Sequence, residues 1–243
     1  AFNFNILTIN QWINLHVIYI CTNYKLNKHI MSSFVGKKFP NLAVDAMNDM
    51  GDTFQVNVLE EATKNNKKVL LFWYPKDFTY VCPTELHAFQ EALPEFEKRN
   101  TIVIGASCDT AEVHFAWLNT SKDNGGIEGV TYPILADTNR NLANILGVLD
   151  TTNERYDDDH DVVLVDGGNI PYRATFILDE EGMVFHQASN FFPVGRNVAE
   201  FLRLIDAYAH NQKFGEVCPA NWEEGKDAMK ESRDGVANYL ANL

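Results

Sequence analysis

Two cysteines of this 243-residue sequence stand in the same tripeptide, Val-Cys-Pro: Cys82 in FTYVCPTEL and Cys218 in GEVCPANWEEG. The first follows KKVLLFWYP (67–75), an apolar run that reads as a buried strand ended by Pro75. It precedes TELHAFQEALPEFEKRN (84–100), where Leu86, Phe89, Leu93 and Phe96 recur at helical spacing and Pro94 should kink or restart the helix. Proline is comfortable at the first helical position, where its missing N–H has no partner to lose. Cys82 therefore falls at a helix N-terminus, against unpaired backbone N–H groups and the positive end of the macrodipole. That setting favours the thiolate, the nucleophilic form of sulfur. Thr79 can hydrogen-bond the sulfur or an oxygen of a bound substrate. A cysteine at a helix start is as often structural as catalytic. The second Val-Cys-Pro shifts the balance, because a cysteine in a polar tail makes a poor core residue and a good partner for disulfide exchange.

The elements that must hold these residues alternate along the chain. TIVIGASCD (101–109) reads as a second buried strand, AEVHFAWLNT (111–120) as a short helix, YPILAD (132–137) as a strand edge and NRNLANILGVL (139–149) as a helix stopped near Gly147. RATFILD (173–179) and MVFHQAS (183–189) form a hairpin, and NVAEFLRLIDAYAH (197–210) a strongly amphipathic helix. From Asn211 the chain is polar and has no core pattern of its own. Alternation that closes on a hairpin and a helix predicts an α/β fold with a mixed central sheet flanked by helices, the element order of thioredoxin-like architectures.

Composition narrows the function. The net charge of −13 repels phosphate backbones and anionic membranes, which argues against nucleic acid and membrane partners. Four cysteines, without a C-x-x-C pair, are too few for a disulfide scaffold and suggest a reducing, cytoplasmic compartment in which a disulfide is transient and catalytic. The first 30 residues differ from the rest: 18 of them are Phe, Tyr, Ile, Asn or Lys, all with AT-rich codons. They read as mistranslated upstream sequence or a degenerate targeting segment, with Met31 as the start.

FWYPKDFTYVCPTEL, YRATFILD, PVGRNVAEFLRLIDAYAH and GEVCPANW, in this order, resemble the typical 2-Cys peroxiredoxins, including the peroxidatic subunit of alkyl hydroperoxide reductase. The resemblance covers residues 33–243. It implies a thioredoxin-like peroxiredoxin domain over 33–196 and a C-terminal helix and tail over 197–243 that carries the resolving cysteine. By similarity Cys82 is the peroxidatic cysteine, oxidised by hydrogen peroxide or an organic hydroperoxide to the sulfenic acid. Thr79 aligns the peroxide and Pro75 shields the sulfur. Arg173 is the active-site arginine, a fixed cation beside the sulfur. Glu85 matches the residue that orients it, though an acidic residue in a first helical turn is favourable anyway. Cys218 matches the resolving cysteine, which in the family comes from a partner subunit and forms an intersubunit disulfide. The family forms antiparallel homodimers that often assemble into decamers, and thioredoxin or a flavoprotein disulfide reductase returns the disulfide to thiols. No cofactor or metal is implied. A holdase chaperone with secondary peroxidase activity is the alternative from another class, and a one-cysteine cycle the closer one.

Other features carry less. Cys108 reads as a packing residue near a strand, and His114 and Trp117 as packing or interface residues. GGIEG (125–129) lacks the strand and helix of a phosphate loop and is similar to the Gly-Gly-Leu-Gly loop of easily over-oxidised peroxiredoxins. With Tyr239-Leu240 near the C-terminus, it suggests intermediate sensitivity to over-oxidation. RYDDDHD (155–161) reads as a solvated acidic loop, since a calcium loop counted from Asp157 would need glycine where Val162 stands.

Overall fold

The computed structural model describes residues 33–151, 154–165 and 168–242, so the reading of residues 1–30 lies outside the described residues. Ala43–Met47 (β1) and Thr53–Asn57 (β2) lead through Val58–Asn65 (α1) to Lys68–Trp73 (β3), Cys82–Glu91 (α2), Leu93–Lys98 (α3) and Thr101–Ser107 (β4). Ala111–Leu118 (α4), Ile134–Ala136 (β5), Asn141–Leu146 (α5), Glu154–Asp157 (β6) and Val162–Val165 (β7) follow. Arg173–Leu178 (β8), Val184–Asn190 (β9), Val198–Phe214 (α6), Glu216–Val217 (β10), Met229–Lys230 (β11) and Arg233–Ala241 (α7) complete the order.

A seven-stranded sheet runs β2-β1-β5-β4-β3-β8-β9. β3, β4 and β5 are mutually parallel, and β1, β2, β8 and β9 join them through antiparallel pairings. The α/β, thioredoxin-like reading is therefore correct. Every residue of β3 is buried, as a continuous apolar run requires of a central strand covered on both faces. Successive side chains alternate between two cores. Val69, Leu71 and Trp73 pack with Val44, Ala62, Leu142 and Phe176, while Leu70, Phe72 and Tyr74 pack with Leu86, Phe89, Trp117, Phe201 and Ile205.

The long helix expected over 84–100 begins two residues earlier and breaks at Ala92, with Pro94 in the first turn of α3. A proline there gives up no intrahelical hydrogen bond, which makes this a restart rather than a kink. Other elements have no counterpart in the sequence reading. β1 and β2 are short, half-exposed strands whose period-2 signal is broken by polar residues. The acidic run 155–161 is not a plain loop. It forms most of the first strand and the turn of a separate β6–β7 hairpin, with Asp157 accepting from the backbone N–H groups of Asp159 and His160. The polar tail also folds: α6 continues to Phe214, β10 pairs with β11, and Trp222 is buried. Among the described residues, no helix is long and apolar enough to cross a membrane.

Candidate active site

Cys82 is the first residue of α2 and is fully buried, with Pro83 next to it in the first turn. The backbone N–H groups of Thr84 and Glu85 donate to the Val81 carbonyl. The donor that reaches the sulfur is a side chain: Arg173 Nη1 lies 3.3 Å from Cys82 Sγ. The hydrogen bond that reaches the sulfur thus comes from the guanidinium that the resemblance implied, not from a backbone N–H of the helix terminus.

The sheet register brings that arginine there. Thr175 of β8 pairs with Phe72 of β3, so Arg173 stands level with the end of β3, where the Pro75–Val81 loop departs. Its Nε donates to the Phe192 carbonyl at 2.8 Å and its Nη1 to Glu85 Oε2 at 2.7 Å. Glu85 lies one helical turn after Cys82 on the same face of α2. It is 4% exposed and stands in the first turn of α2, where an acidic residue also suits the helix dipole.

Arg196, within PVGRNVAEF, completes the site, although the sequence assigns it no role. Its backbone N–H and Nε donate to Glu85 Oε1 at 2.9 and 2.8 Å, and Nη2 donates to Oε2 at 2.9 Å. Its Nη1 donates to the carbonyls of Trp73 and Ala174 at 2.9 and 3.0 Å. The guanidinium lies 5.0 Å from the Phe72 ring centroid and 5.7 Å from that of Phe89. Burial pulls Arg196 below the ordinary arginine value, and the Glu85 carboxylate opposes that. Glu85 is thereby shared between two buried guanidiniums, one of which touches the sulfur. Arg196 lies six residues past the end of β9 and two before α6, and its only local signal is its place in a polar break between a strand and an amphipathic helix.

The loop between β3 and α2 is anchored from beneath. Tyr74 OH donates to Asp77 Oδ1 at 2.7 Å, and His114 Nδ1 lies 2.7 Å from Asp77 Oδ2. His114 Nε2 is 3.2 Å from the Leu135 carbonyl and so carries a hydrogen. Burial raises Asp77 above the usual carboxylate range, and the hydrogen bond with His114 opposes the rise. The Asp77 N–H donates to Asp109 Oδ2 at 2.8 Å. Above this base Pro75 is buried, and Phe78 holds a left-handed φ of 53°. Thr79 Oγ1 donates to the Lys76 carbonyl at 2.8 Å. His114 and Trp117 are both fully buried, Trp117 packed in the core and His114 in this hydrogen-bonded base.

The structure joins Cys82 and Glu85 through Arg173, which contacts both, with Pro75 and Thr79 on the loop leading into them. Cys218 is a free, half-buried thiol against α6, where its Sγ donates to the Ala207 carbonyl at 3.4 Å. Cys108 is also free, and burial pushes its thiol up to about 12. GGIEG braces α2: His87 Nε2 meets the Gly126 carbonyl at 3.1 Å, and Ile127 is fully buried. A Cβ at Gly126 would lie 1.8 Å from the Thr120 carbonyl oxygen, so only glycine fits that approach.

The chain also matches known proteins along most of its length. The model of the AhpC/TSA family matches residues 35–187, and that of the C-terminal domain of 1-Cys peroxiredoxin matches residues 207–242. Alkyl hydroperoxide reductase C of Buchnera aphidicola (subsp. Schizaphis graminum) is 37% identical over 86% of this chain and 97% of its own. The thioredoxin peroxidase of Echinococcus granulosus is 36% identical over 87% of this chain and 100% of its own. The crystal structure of reduced Plasmodium vivax 2-Cys peroxiredoxin superposes with a TM-score of 0.76 at 37% identity, covering 86% of this chain and 100% of that one. A buried cysteine at a helix start, touched by a guanidinium on a thioredoxin-like sheet, and relatives matched over nearly their whole length together place this chain in the AhpC/TSA family of peroxiredoxins, the thiol-dependent peroxidases.

Proposed function

We propose that Cys82 is the peroxidatic nucleophile, that Cys218 of a second copy resolves it, and that the chain reduces hydrogen peroxide and organic hydroperoxides. The Cys82 thiolate attacks one peroxide oxygen and the O–O bond breaks. The leaving oxygen takes a proton and departs as water or alcohol, and Cys82 becomes the sulfenic acid. The Cys218 thiolate then attacks that sulfur. An S–S bond forms as hydroxide leaves and is protonated to water. An external dithiol supplies the two electrons that restore both thiols, either a thioredoxin-like one, which the name of the Echinococcus relative suggests, or that of a flavoprotein disulfide reductase.

The observation that carries this reading is the 3.3 Å contact of Arg173 with Cys82 Sγ, held by Glu85. A cation fixed there in a dry site stabilises the charge that develops on the attacked and departing oxygens without reorganising. Thr79 aligns the peroxide, and Pro75 keeps bulk water from the sulfur. Cys82 is buried, so α2 must unwind locally before the two sulfurs reach disulfide geometry.

A one-cysteine cycle is the second reading, favoured by the match of residues 207–242 to the 1-Cys C-terminal domain. Non-reducing gels after one equivalent of hydrogen peroxide separate the two. A covalent dimer in the wild type that is absent in both Cys82→Ser and Cys218→Ser supports the two-cysteine cycle. Oxidised Cys82 with no dimer in the wild type rejects it.

A further inference from the structure

The segment that carries Cys218 is fastened to α6 at both of its ends. At the near end, His210 Nε2 lies 3.0 Å from Glu216 Oε2, and Asn211 Nδ2 donates to the Glu216 carbonyl at 2.8 Å. At the far end, Arg203 Nη1 donates to the Trp222 carbonyl at 2.9 Å, and the Trp222 indole N–H closes a turn onto the Lys226 carbonyl at 3.0 Å. Trp222 is 2% exposed, a large burial for a tail without a core pattern. One residue touches both ends: the His210 ring that meets Glu216 lies 5.0 Å from the Trp222 ring, centroid to centroid. Between these fastenings the Cys218 thiol spends its hydrogen on the Ala207 carbonyl.

We infer that His210 is a positioning residue that holds the Cys218 segment parked on α6, and that opening this clamp limits how fast Cys218 attacks the Cys82 sulfenic acid. The inference rests on Cys218 being the resolving thiol. Parked, the sulfur is a poor nucleophile on two counts. Its S–H is engaged, and burial pushes the thiol above the ordinary cysteine value despite the opposing cation of Arg203. The parked geometry also points the sulfur at its own helix, whereas a disulfide needs Cα atoms about 4.4–6.8 Å apart. Glu216 lies opposite Lys230 in the β10–β11 pair and keeps its Asn211 bond, so losing the His210 contact loosens the near end without unfolding the tail.

The test is single-turnover stopped-flow fluorescence of the full chain mixed with hydrogen peroxide. Cys82 oxidation appears as a phase whose rate rises with peroxide, and disulfide formation as a phase independent of it. His210→Phe keeps a ring against Trp222 and removes the Glu216 contact; Glu216→Gln weakens the same contact from the other side. Both variants should accelerate the peroxide-independent phase by roughly three- to tenfold, the size expected for one partly exposed charged contact. The peroxide-dependent phase should stay unchanged, and His210→Gln, which keeps a donor, should return the rate toward wild type. General damage to the tail would slow resolution, so the gain in rate is the discriminating readout. An unchanged or slower phase in both variants, with Cys218→Ser abolishing it, overturns the clamp alone. A phase and a covalent dimer that persist in Cys218→Ser overturn the resolving assignment and the clamp with it.

Discussion

Replacing Glu85 by glutamine tests the proposed arrangement of the site most directly. The substitution keeps the size of the side chain and removes one negative charge. That leaves Arg173 and Arg196, whose side chains are 4% and 3% exposed, facing each other without an anion between them. Removing one partner from a buried, hydrogen-bonded charge cluster costs about 3–5 kcal/mol. In a chain of this size each kcal/mol lowers the melting temperature by about 2–4 °C, so a fall of about 6–20 °C is expected. The same change frees Arg173 from the contact that aims it at Cys82. Loss of one charged hydrogen bond, about 1.5–3 kcal/mol, corresponds to a roughly ten- to hundredfold slower oxidation of Cys82 by peroxide. Urea denaturation gives the first quantity and stopped-flow oxidation the second, with the exposed Glu91→Gln as a control expected within about 0.5 kcal/mol of wild type. A Glu85→Gln protein that loses less than about 1 kcal/mol and oxidises within about twofold of the wild-type rate refutes the reasoning, because the carboxylate would then neither balance the guanidiniums nor aim one of them.

Two further outcomes follow from the free thiols. Burial raises the parked Cys218 thiol above the ordinary cysteine value, so its labelling by iodoacetamide in the reduced protein should keep climbing with pH past the ordinary cysteine range; labelling that levels off below pH 8 contradicts that sign. Cys108 is pushed to about 12 from an ordinary 9.0, which lowers its thiolate fraction about a thousandfold, so iodoacetamide at pH 8 should label Cys218 well before Cys108, as peptide mass spectrometry would report.

How much of this was legible beforehand depends on the range of each signal. The apolar run of β3, the helical spacing after Cys82, the restart at Pro94 and the position of the cysteine against a proline are all local, and backbone sterics and periodicity express them within a dozen residues. Motif resemblance added Arg173 and Glu85 as single letters, without the distance between them. Arg196 escaped because it meets Glu85 across 111 residues, and nothing in its neighbourhood marks it as buried. The Tyr74–Asp77–His114 network escaped in the same way: a histidine on a helix reads as packing until the fold sets a carboxylate 2.7 Å from it. The tail read as featureless because its one large buried side chain, Trp222, packs on a helix earlier in the chain rather than on its own neighbours. Which residue could attack, and from which element, was written in short-range order. Which charges surround the sulfur, and where the second thiol waits, arose only when the sheet register carried distant segments into contact.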